Sequence, residues 1–279
     1  MPRRVRWCGF ILACMSFDFR LIYDGYHNGA SNMARDEAIS RMVSSGRQLP
    51  TLRFYGWMPA SISLGQSQRI RTVDEAACSA DGVDVVRRAT GGLAILHTDE
   101  FTYSISLPIH HPLAEGDVMT SYRRIANAII ETLKRLGVHD AGADTVAKED
   151  KAKGPVCFEA PSDYEVVGGG KKLVGSAQWR RVDAVLQHGS LPLYGDIGRV
   201  CRYLVGAPEP ERVRLHATTL SDILGRPITY EEVATAWRAA FADVLDIHFT
   251  VGDLSEEEVR DATDLRDSRY GNDIWNRRR

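Results

Sequence analysis

The stretch from residue 120 to residue 136 constrains the fold more than any other part of the sequence. Its apolar residues recur at the spacing of one helical face, at Tyr122, Ile125, Ala126, Ile129, Leu133 and Leu136. Gly137 follows, and glycine is typical of the position just after a helix. A helix with a single apolar stripe must bury that stripe against another layer. The rest of the chain therefore has to supply an apolar surface.

Segments that predict β-strands can supply this surface. They are short, rich in β-branched and aromatic residues, and bounded by glycine, proline or polar residues. We expect strands at residues 19–24, 52–55, 61–64, 83–87, 94–96, 101–107, 164–167, 172–178 and 184–192. Met58-Pro59 predicts a turn, and Gly168–Gly170 predicts the turn of a hairpin. A second helix is expected over residues 31–45, and the polar segment 139–155 predicts a mobile surface loop.

From residue 209 onward the pattern becomes helical. Residues 218–224 predict a short helix, and two capping boxes predict the starts of two more, Thr229 with Glu232 and Ser255 with Glu258. The whole pattern predicts an α+β fold with a mixed, largely antiparallel sheet flanked by helices and a small helical C-terminal part. We expect residues 1–18 to be an unstructured extension and residues 19–279 to form one domain.

Composition excludes several classes of protein. The 279 residues carry 35 Lys and Arg against 37 Asp and Glu, a net charge of −2, which gives no basis for binding nucleic acid or an anionic membrane. No run reaches the roughly 20 apolar residues that span a bilayer. The five cysteines are irregularly spaced, which argues against a disulfide framework and a zinc site and favours reduced thiols in the cytoplasm. Residues 1–14 imitate a signal peptide poorly, so we expect them to be dispensable and Met15 to be the true start.

Three clusters could carry chemistry. Residues 87–92, RRATGG, precede His97, and their glycines permit either a sheet bulge or the close approach of a ligand. In the second cluster, Cys157 and Lys172 lie on either side of the glycine turn. Cys157 is either an inert buried thiol or a thiolate activated by the lysine. The third cluster, residues 187–190, contains His188, which could orient a substrate carbonyl or be a core histidine; no metal-ligand spacing is present.

At these residues the sequence resembles the lipoate-protein ligase and biotin-ligase superfamily. More narrowly, it resembles the single-cysteine octanoyltransferases of lipoyl synthesis, the LipM type, over nearly the whole chain from about residue 19 to residue 275. The double-arginine, double-glycine element marks the superfamily. The elements that mark the octanoyltransferase branch are Cys157-Phe158-Glu159-Ala160-Pro161-Ser162-x-Tyr164-Glu165, Gly175-Ser176-Ala177-Gln178 and Gln187-His188-Gly189-Ser190.

The resemblance implies an acyltransferase of the lipoate/biotin protein ligase-like fold that needs no cofactor. It implies that Cys157 takes octanoyl from octanoyl-acyl carrier protein as a thioester, that Lys172 accepts the proton, and that octanoyl then passes to a lysine of a lipoyl domain, such as the glycine-cleavage H protein. It implies the substrate-binding residues Arg88, Thr90, Gly91, Gly92, His97, Gly175, Ser176 and His188. We expect a cytoplasmic monomer.

Two alternatives stay within the superfamily, and one lies outside it. An ATP-dependent lipoate- or octanoate-protein ligase would need no cysteine nucleophile, and two departures argue against adenylate binding: Leu93 replaces a third glycine, and Thr98 separates His97 from Asp99. A lipoyl-domain amidotransferase also uses a cysteine, but it draws octanoyl from another lipoyl protein. A non-catalytic module that binds a carrier protein would leave the pairing of Cys157 with Lys172 without a purpose.

Overall fold

The structure, a computed structural model, describes residues 16–144 and 165–279. The strands within these ranges are β1 Phe17–His27, β2 Thr51–Trp57, β3 Ser61–Leu64, β4 Asp84–Arg87, β5 Ile95–His97, β6 Glu100–Pro108, β7 Gly142–Asp144, β8 Glu165–Gly168, β9 Lys171–Arg180, β10 Ala184–Pro192 and β11 Ile247–Val251. The α-helices are α1 Gly29–Ser44, α2 Glu75–Ala80, α3 Val118–Arg135, α4 Pro210–His216, α5 Leu220–Leu224, α6 Tyr230–Leu245, α7 Glu256–Leu265 and α8 Asp273–Asn276.

A large mixed sheet forms the centre of the molecule. Among the described residues its strand order is β11-β1-β2-β6-β10-β9-β8-β7. β1 pairs in parallel with β11 and β2, and the other neighbours in this sheet are antiparallel. α1 links the parallel strands β1 and β2, as a crossover connection requires. The predicted fold class, a mixed and largely antiparallel sheet flanked by helices, is confirmed.

Helices cover both faces of this sheet, and the two faces differ in chemistry. α3 and α6 pack over one face, and the predicted stripe of α3 is buried there together with the rings of Phe101, Tyr103, Trp237 and Phe241. We call this the apolar face. α1 packs over the other face, with α7 outside it. This second face, which carries buried polar side chains, is called the cavity face below.

A smaller sheet lies beside the cavity face. Its order is β4-β3-β5, with β3 and β4 parallel and β3 and β5 antiparallel. Three residues, which include the predicted Met58-Pro59 turn, separate β2 from β3, yet the two strands belong to different sheets. The chain therefore leaves the large sheet at this turn, and a cavity lies between the small sheet and the cavity face.

Most predicted elements are present, but β1, β11 and β7 differ from expectation, and α2 has no counterpart among the predicted elements. β1 begins at Phe17, two residues before the expected domain start, because Phe17 and Asp18 pair with Ile247 and His248 of β11. β11 itself falls in the part predicted to be helical. β7 lies in the segment predicted to be a loop, because its backbone pairs with β8. The predictions for residues 1–15 and for residues 145–164 lie outside the described residues.

Local sequence signals account for the element ends. Gly46 and Gly137 take positive φ values of 71° and 106° just after α1 and α3. Both predicted capping boxes form at the starts of α6 and α7. Gly169 and Gly170 have φ values of 59° and 70°, the left-handed conformations that a two-residue turn between β8 and β9 requires. In the described parts of the chain, the helices are too short or too polar to cross a membrane.

Candidate active site

A cavity of about 190 Å³ separates the small sheet from the cavity face. Apolar side chains line part of it, including Met33 from α1 together with Leu93 and Ile95. Seven of the residues that the resemblance implied also line it, namely Arg88, Gly92, His97, Lys172, Gly175, Ser176 and His188. The cavity therefore combines an apolar wall with titratable groups, as pockets that bind acyl groups and react with them require.

Arg88 holds the loop that follows β4. Its guanidinium donates to the carbonyls of Ser63, Gly91 and Leu93, each at 2.8 Å. Gly91, another implied residue, thus contributes a carbonyl to this loop rather than a wall of the cavity. Gly92 has a φ of +94°, and a Cβ on Gly65 would lie 1.9 Å from the carbonyl oxygen of Gly92. Glycine is needed at both positions, because one backbone is left-handed and the other approaches it too closely for a side chain.

The neighbouring Arg87 does not line the cavity. Successive residues on a strand point to opposite faces, so only one of the two arginines can reach the cavity, and that one is Arg88. Both are buried, at 0% and 2% exposure for Arg87 and Arg88. Arg87 donates to the carbonyls of Gly65, Gln68 and Asn276. The opposite side of the strand is therefore covered by residues near the end of the chain.

His188 on β10 lies at the floor of the cavity in a buried polar network. Its Nε2 lies 2.7 Å from the hydroxyl of Thr90, and its Nδ1 lies 3.4 Å from a carboxylate oxygen of Asp36 on α1. Burial lowers the pKa of His188 below its ordinary value, although Asp36 opposes the shift. Thr90 and His188, both implied by the resemblance, are thus in direct contact.

Asp36 is fixed in turn by Arg53 from the middle of β2. The Nη1 of Arg53 lies 2.7 Å from the Oδ1 of Asp36, and Ser104 donates to the same oxygen at 2.7 Å. Burial would raise the pKa of Asp36, but the charge of Arg53 and the hydrogen bond from His188 outweigh it and lower that pKa. The buried carboxylate therefore stays ionised and holds the ring of His188 in place.

His97 from β5 forms a second network, which Ser63, Arg88 and Thr90 join to that of His188. Its Nδ1 lies 2.7 Å from the Oε1 of Glu100, and its Nε2 lies 2.7 Å from the hydroxyl of Ser63. The ring stacks on Trp57 at 3.9 Å between centroids and an angle of 10°. Asp99, which Thr98 separates from His97 in sequence, pairs with Arg199 at 2.7 Å instead of with His97. Glu100 therefore fills the role of carboxylate partner to His97.

Gly175 and Ser176 on β9 complete the wall beside β10. The Ser176 hydroxyl lies 2.9 Å from that of Tyr103. A Cβ on Gly189, opposite Ser176, would lie 2.4 Å from the Ser176 hydroxyl and 2.5 Å from the Tyr103 ring. The glycine thus leaves room for the serine to approach the tyrosine. Burial raises the pKa of Tyr103 to about 12, so its hydroxyl stays protonated.

Lys172 and Lys171 differ as adjacent residues on a strand should. Lys172 is 6% exposed, and its Nζ lies 2.5 Å from the Oε1 of Glu165, which is also buried. The Nζ of Lys171, in an exposed environment, donates instead to the carbonyl of Arg214 at 2.6 Å. The hairpin turn places Glu165 and Lys172 on neighbouring strands, so Lys172 brings a carboxylate partner with it to the cavity.

Cys157 lies outside the described residues, so its position relative to Lys172 stays a prediction. Cys78, which the structure does describe, is buried on α2. Burial and nearby carboxylates raise the pKa of its thiol to about 11. A thiol with such a pKa is a poor nucleophile near neutral pH. Cys78 is therefore a structural residue.

Sequence reasoning missed four charged groups that organise the site: Asp36, Arg53, Glu100 and Glu165. Of these four, Glu165 alone was part of a quoted motif, and no role was assigned to it. The available signal was an arginine inside the otherwise apolar strand of residues 52–55, since a charge there must be paired when it is buried. Glu100 follows His97 by three residues, which was a weak signal for that pair, whereas its contact with Ser190 on β10 leaves none in the sequence.

Comparison with known proteins assigns this fold and cavity to one group. Residues 28–242 match the family described as the lipoyl protein ligase A/B catalytic domain. The octanoyltransferase LipM of Symbiobacterium thermophilum is 40% identical over 276 residues, which cover 95% of this chain and 100% of that protein. The octanoyltransferase LipM of Kyrpidia tusciae is 40% identical over 272 residues, covering 94% and 99%.

Solved structures agree on the fold. Lipoate-protein ligase A bound with ATP superimposes with a TM-score of 0.78 at 25% identity, covering 93% of this chain and 98% of that one. A bipartite lipoate protein ligase from Thermoplasma acidophilum gives a TM-score of 0.77 at 24% identity, covering 94% and 96%. The predicted resemblance is thus confirmed.

Proposed function

The chain belongs to the lipoyl protein ligase A/B catalytic family, and we propose that within it the chain works as an octanoyltransferase of lipoyl synthesis. The observation that carries this proposal is 40% identity to an octanoyltransferase LipM along 95% of this chain and the full length of that protein. The chain is an acyltransferase, and its acceptor is a lipoyl-domain protein. Octanoyl-acyl carrier protein as the donor and glycine-cleavage H protein as the acceptor are the finer part of the proposal.

In the proposed first step, the thiolate of Cys157 attacks the thioester carbonyl of the donor. A new carbon–sulfur bond forms to Cys157, the bond to the donor sulfur breaks, and the donor thiolate leaves. Lys172 accepts the thiol proton beforehand and can return one to the departing thiolate. Glu165 supports this role, because a carboxylate 2.5 Å from the Lys172 nitrogen stabilises the resulting ammonium.

In the second step the amine of the acceptor lysine attacks the acylated Cys157. An amide bond forms, the carbon–sulfur bond breaks, the thiolate of Cys157 is released, and Lys172 takes the proton of the amine. Each step exchanges an activated acyl bond for one of equal or lower energy, so neither needs ATP. Thr90, His97 and His188 are proposed to position the acyl carbonyl, with Arg88, Gly91, Gly92, Gly175 and Ser176 shaping the surrounding site.

The mass of the intact protein tests this function directly. Mixing the chain with octanoyl-acyl carrier protein, without ATP or magnesium, is expected to add one octanoyl group. Cys157→Ala should abolish the adduct, while Cys78→Ala, which removes a buried thiol of raised pKa, serves as the matched control and should retain it. An adduct that survives in Cys157→Ala would contradict the covalent mechanism.

The likeness to an ATP-bound lipoate-protein ligase makes a ligase the second candidate. Such an enzyme would activate a free fatty acid with ATP and would need no cysteine. An absolute requirement for ATP in octanoyl transfer would therefore replace the proposed function with ligation. If the adduct forms from an octanoylated lipoyl protein but not from acyl carrier protein, the chain is an amidotransferase.

A further inference from the structure

A cluster of arginines lies beside the loop that lines the cavity. Four of them are exposed. Two flank Ile70 in sequence and two lie at positions 278 and 279: Arg69, Arg71, Arg278 and Arg279. We call these four the arginine rim. The chain as a whole has a net charge of −2, so this concentration of positive charge is local.

Backbone contacts fix the rim against the cavity loop. The amide of Ile70 donates to the main-chain oxygen of Arg279 at 2.9 Å, and the amide of Gln66 donates to the carbonyl of Thr90 at 2.8 Å. Gly65 packs directly on the carbonyl of Gly92. Gly92 is exposed and also lines the cavity, so the cavity reaches the surface at this loop. The rim therefore lies next to the cavity opening.

The side chains of the rim have no acidic side-chain partners within the described chain. Among residues 16–144 and 165–279, no Asp or Glu carboxylate forms an ion pair with any of the four, whereas the adjacent Arg277 pairs with Glu75 at 3.0 Å. Arg278 stacks its guanidinium 3.6 Å from the centre of the Trp275 ring, which fixes its position. Burial lowers the pKa of Arg278, and the charges of Arg269 and Arg279 lower it further, so these cations repel one another. An anion at this place would relieve that repulsion.

We propose that the arginine rim binds the phosphodiester of the arm that carries the acyl thioester of the donor. This inference rests on the proposed function. The two substrates differ in charge where they approach the opening. A carrier protein presents its acyl group on a phosphopantetheine arm, which is anionic at its root, whereas the acceptor presents a lysine that the rim repels. Guanidinium groups also suit phosphate geometry, because they donate several hydrogen bonds from one plane.

The test compares three octanoyl donors: octanoyl-acyl carrier protein, octanoyl-phosphopantetheine, which keeps the phosphate, and octanoyl-pantetheine, which lacks it. The variant is Arg278→Gln/Arg279→Gln, with Arg69→Gln/Arg71→Gln as a second pair. The control is Arg238→Gln, because Arg238 is exposed on α6 and has no ion pair within the described residues. The rate of acyl-enzyme formation is measured at limiting donor concentration.

Each rim variant should lower the rate about tenfold with the two phosphate-bearing donors and leave octanoyl-pantetheine unchanged. The loss should shrink at high salt, since the Debye length falls from about 10 Å at 0.1 M to about 3 Å at 1 M. Transfer from preformed acyl-enzyme to a lipoyl domain should be unaffected. An equal loss with octanoyl-pantetheine, a loss with the carrier protein alone, or a loss confined to the acceptor step would overturn the proposal.

A second measurement separates failure of this inference from failure of the proposed function. If the unaltered chain forms no acyl-enzyme with any donor, the proposed function fails. Binding of fluorescent octanoyl-acyl carrier protein to the Cys157→Ala chain then tests the rim alone, since no reaction is needed. Affinity that falls about tenfold in the rim variants supports the inference, and unchanged affinity or no binding at all rejects it.

Discussion

The two faces of the central sheet use the same strands for opposite purposes. On the apolar face, Tyr103 lies between β10 and the rings of Trp237 and Phe241. On the cavity face, the next residue along β6, Ser104, donates to the buried carboxylate of Asp36. Strand alternation thus builds a core and a candidate active site from adjacent residues. Substitutions on the apolar face should change stability, and those on the cavity face should change activity.

The largest effect is expected on the cavity side, at Lys172. Lys172→Arg keeps the positive charge, but a guanidinium stays protonated and cannot exchange protons with the thiol or the incoming amine. Activity should fall about 10²–10⁴-fold, the usual range for removal of a positioned acid–base group. The rate of octanoyl transfer to a lipoyl domain measures it.

Lys171→Arg is the matched control, because Lys171 lies one residue away and contacts an exposed carbonyl instead. It should retain near-normal activity, and both variants should unfold at nearly the temperature of the unaltered chain. Equal losses in the two variants would remove the distinction between the buried lysine and the exposed one.

The apolar face is best tested at Trp237. This side chain is fully buried between Phe101, Tyr103 and Phe241, so Trp237→Ala should lower the free energy of unfolding by about 3–5 kcal/mol. Chemical denaturation measures the loss. The rate of acyl-enzyme formation at temperatures where the variant stays folded should change much less than in Lys172→Arg.

Trp237→Phe refines the same test. The indole nitrogen of Trp237 is buried and has no hydrogen-bond partner within the described residues, so its removal offsets part of the lost packing. The destabilisation should be clearly smaller than for Trp237→Ala. A large loss of activity without a loss of stability would show that the apolar face also contributes to the chemistry.

The effect at Glu165 should be smaller than that at Lys172. Glu165→Gln removes the counter-ion of the Lys172 ammonium but keeps the shape, so we expect about a tenfold fall in the rate of acyl-enzyme formation near neutral pH. Without the carboxylate, Lys172 gives up its proton more readily. The alkaline limb of the pH–rate profile should therefore move to lower pH. A uniform fall with no movement of this limb would make Glu165 a structural residue only.

The sequence predicted the apolar face better than the cavity face, and the reason is physical. The stripe of α3 and the strands it covers leave a periodic apolar pattern, which any chain must have to bury them. The partners of a buried charge leave no such pattern. Glu100 meets Ser190, ninety positions further along the chain, only because β6 and β10 pair in the folded chain. β11 escaped prediction because its short apolar segment lies between two strongly helical patterns.

On the cavity face, motifs predicted site residues at positions where the chemistry restricts the residue type. The glycines at 91–92 and 175 and the two histidines were selected from motifs, and all but Gly91 contact the cavity or its network. The pairing of Arg53 with Asp36 follows from packing α1 on β2, which sequence alone does not reveal. The motifs thus predicted the two histidines, and the structure revealed the carboxylates of Asp36 and Glu100 that contact them.

The smallest expected effect contrasts two buried histidines, His188 beside Asp36 on the cavity face and His111 beside Phe17 and Phe19 at the edge of the apolar face. Burial, with a smaller contribution from the charge of His110, lowers the pKa of His111 to about 4. In the unfolded chain a histidine has a pKa near 6.5, so between about pH 6.5 and pH 4 the unfolded state binds more protons than the folded one. Stability should therefore fall as the pH drops through that window and level off below it. His111→Asn keeps an acceptor for the amide of Leu113 and cannot be protonated, so it should flatten that part of the curve of unfolding free energy against pH. An unchanged slope in His111→Asn would mean that His111 is not the group that takes up the proton.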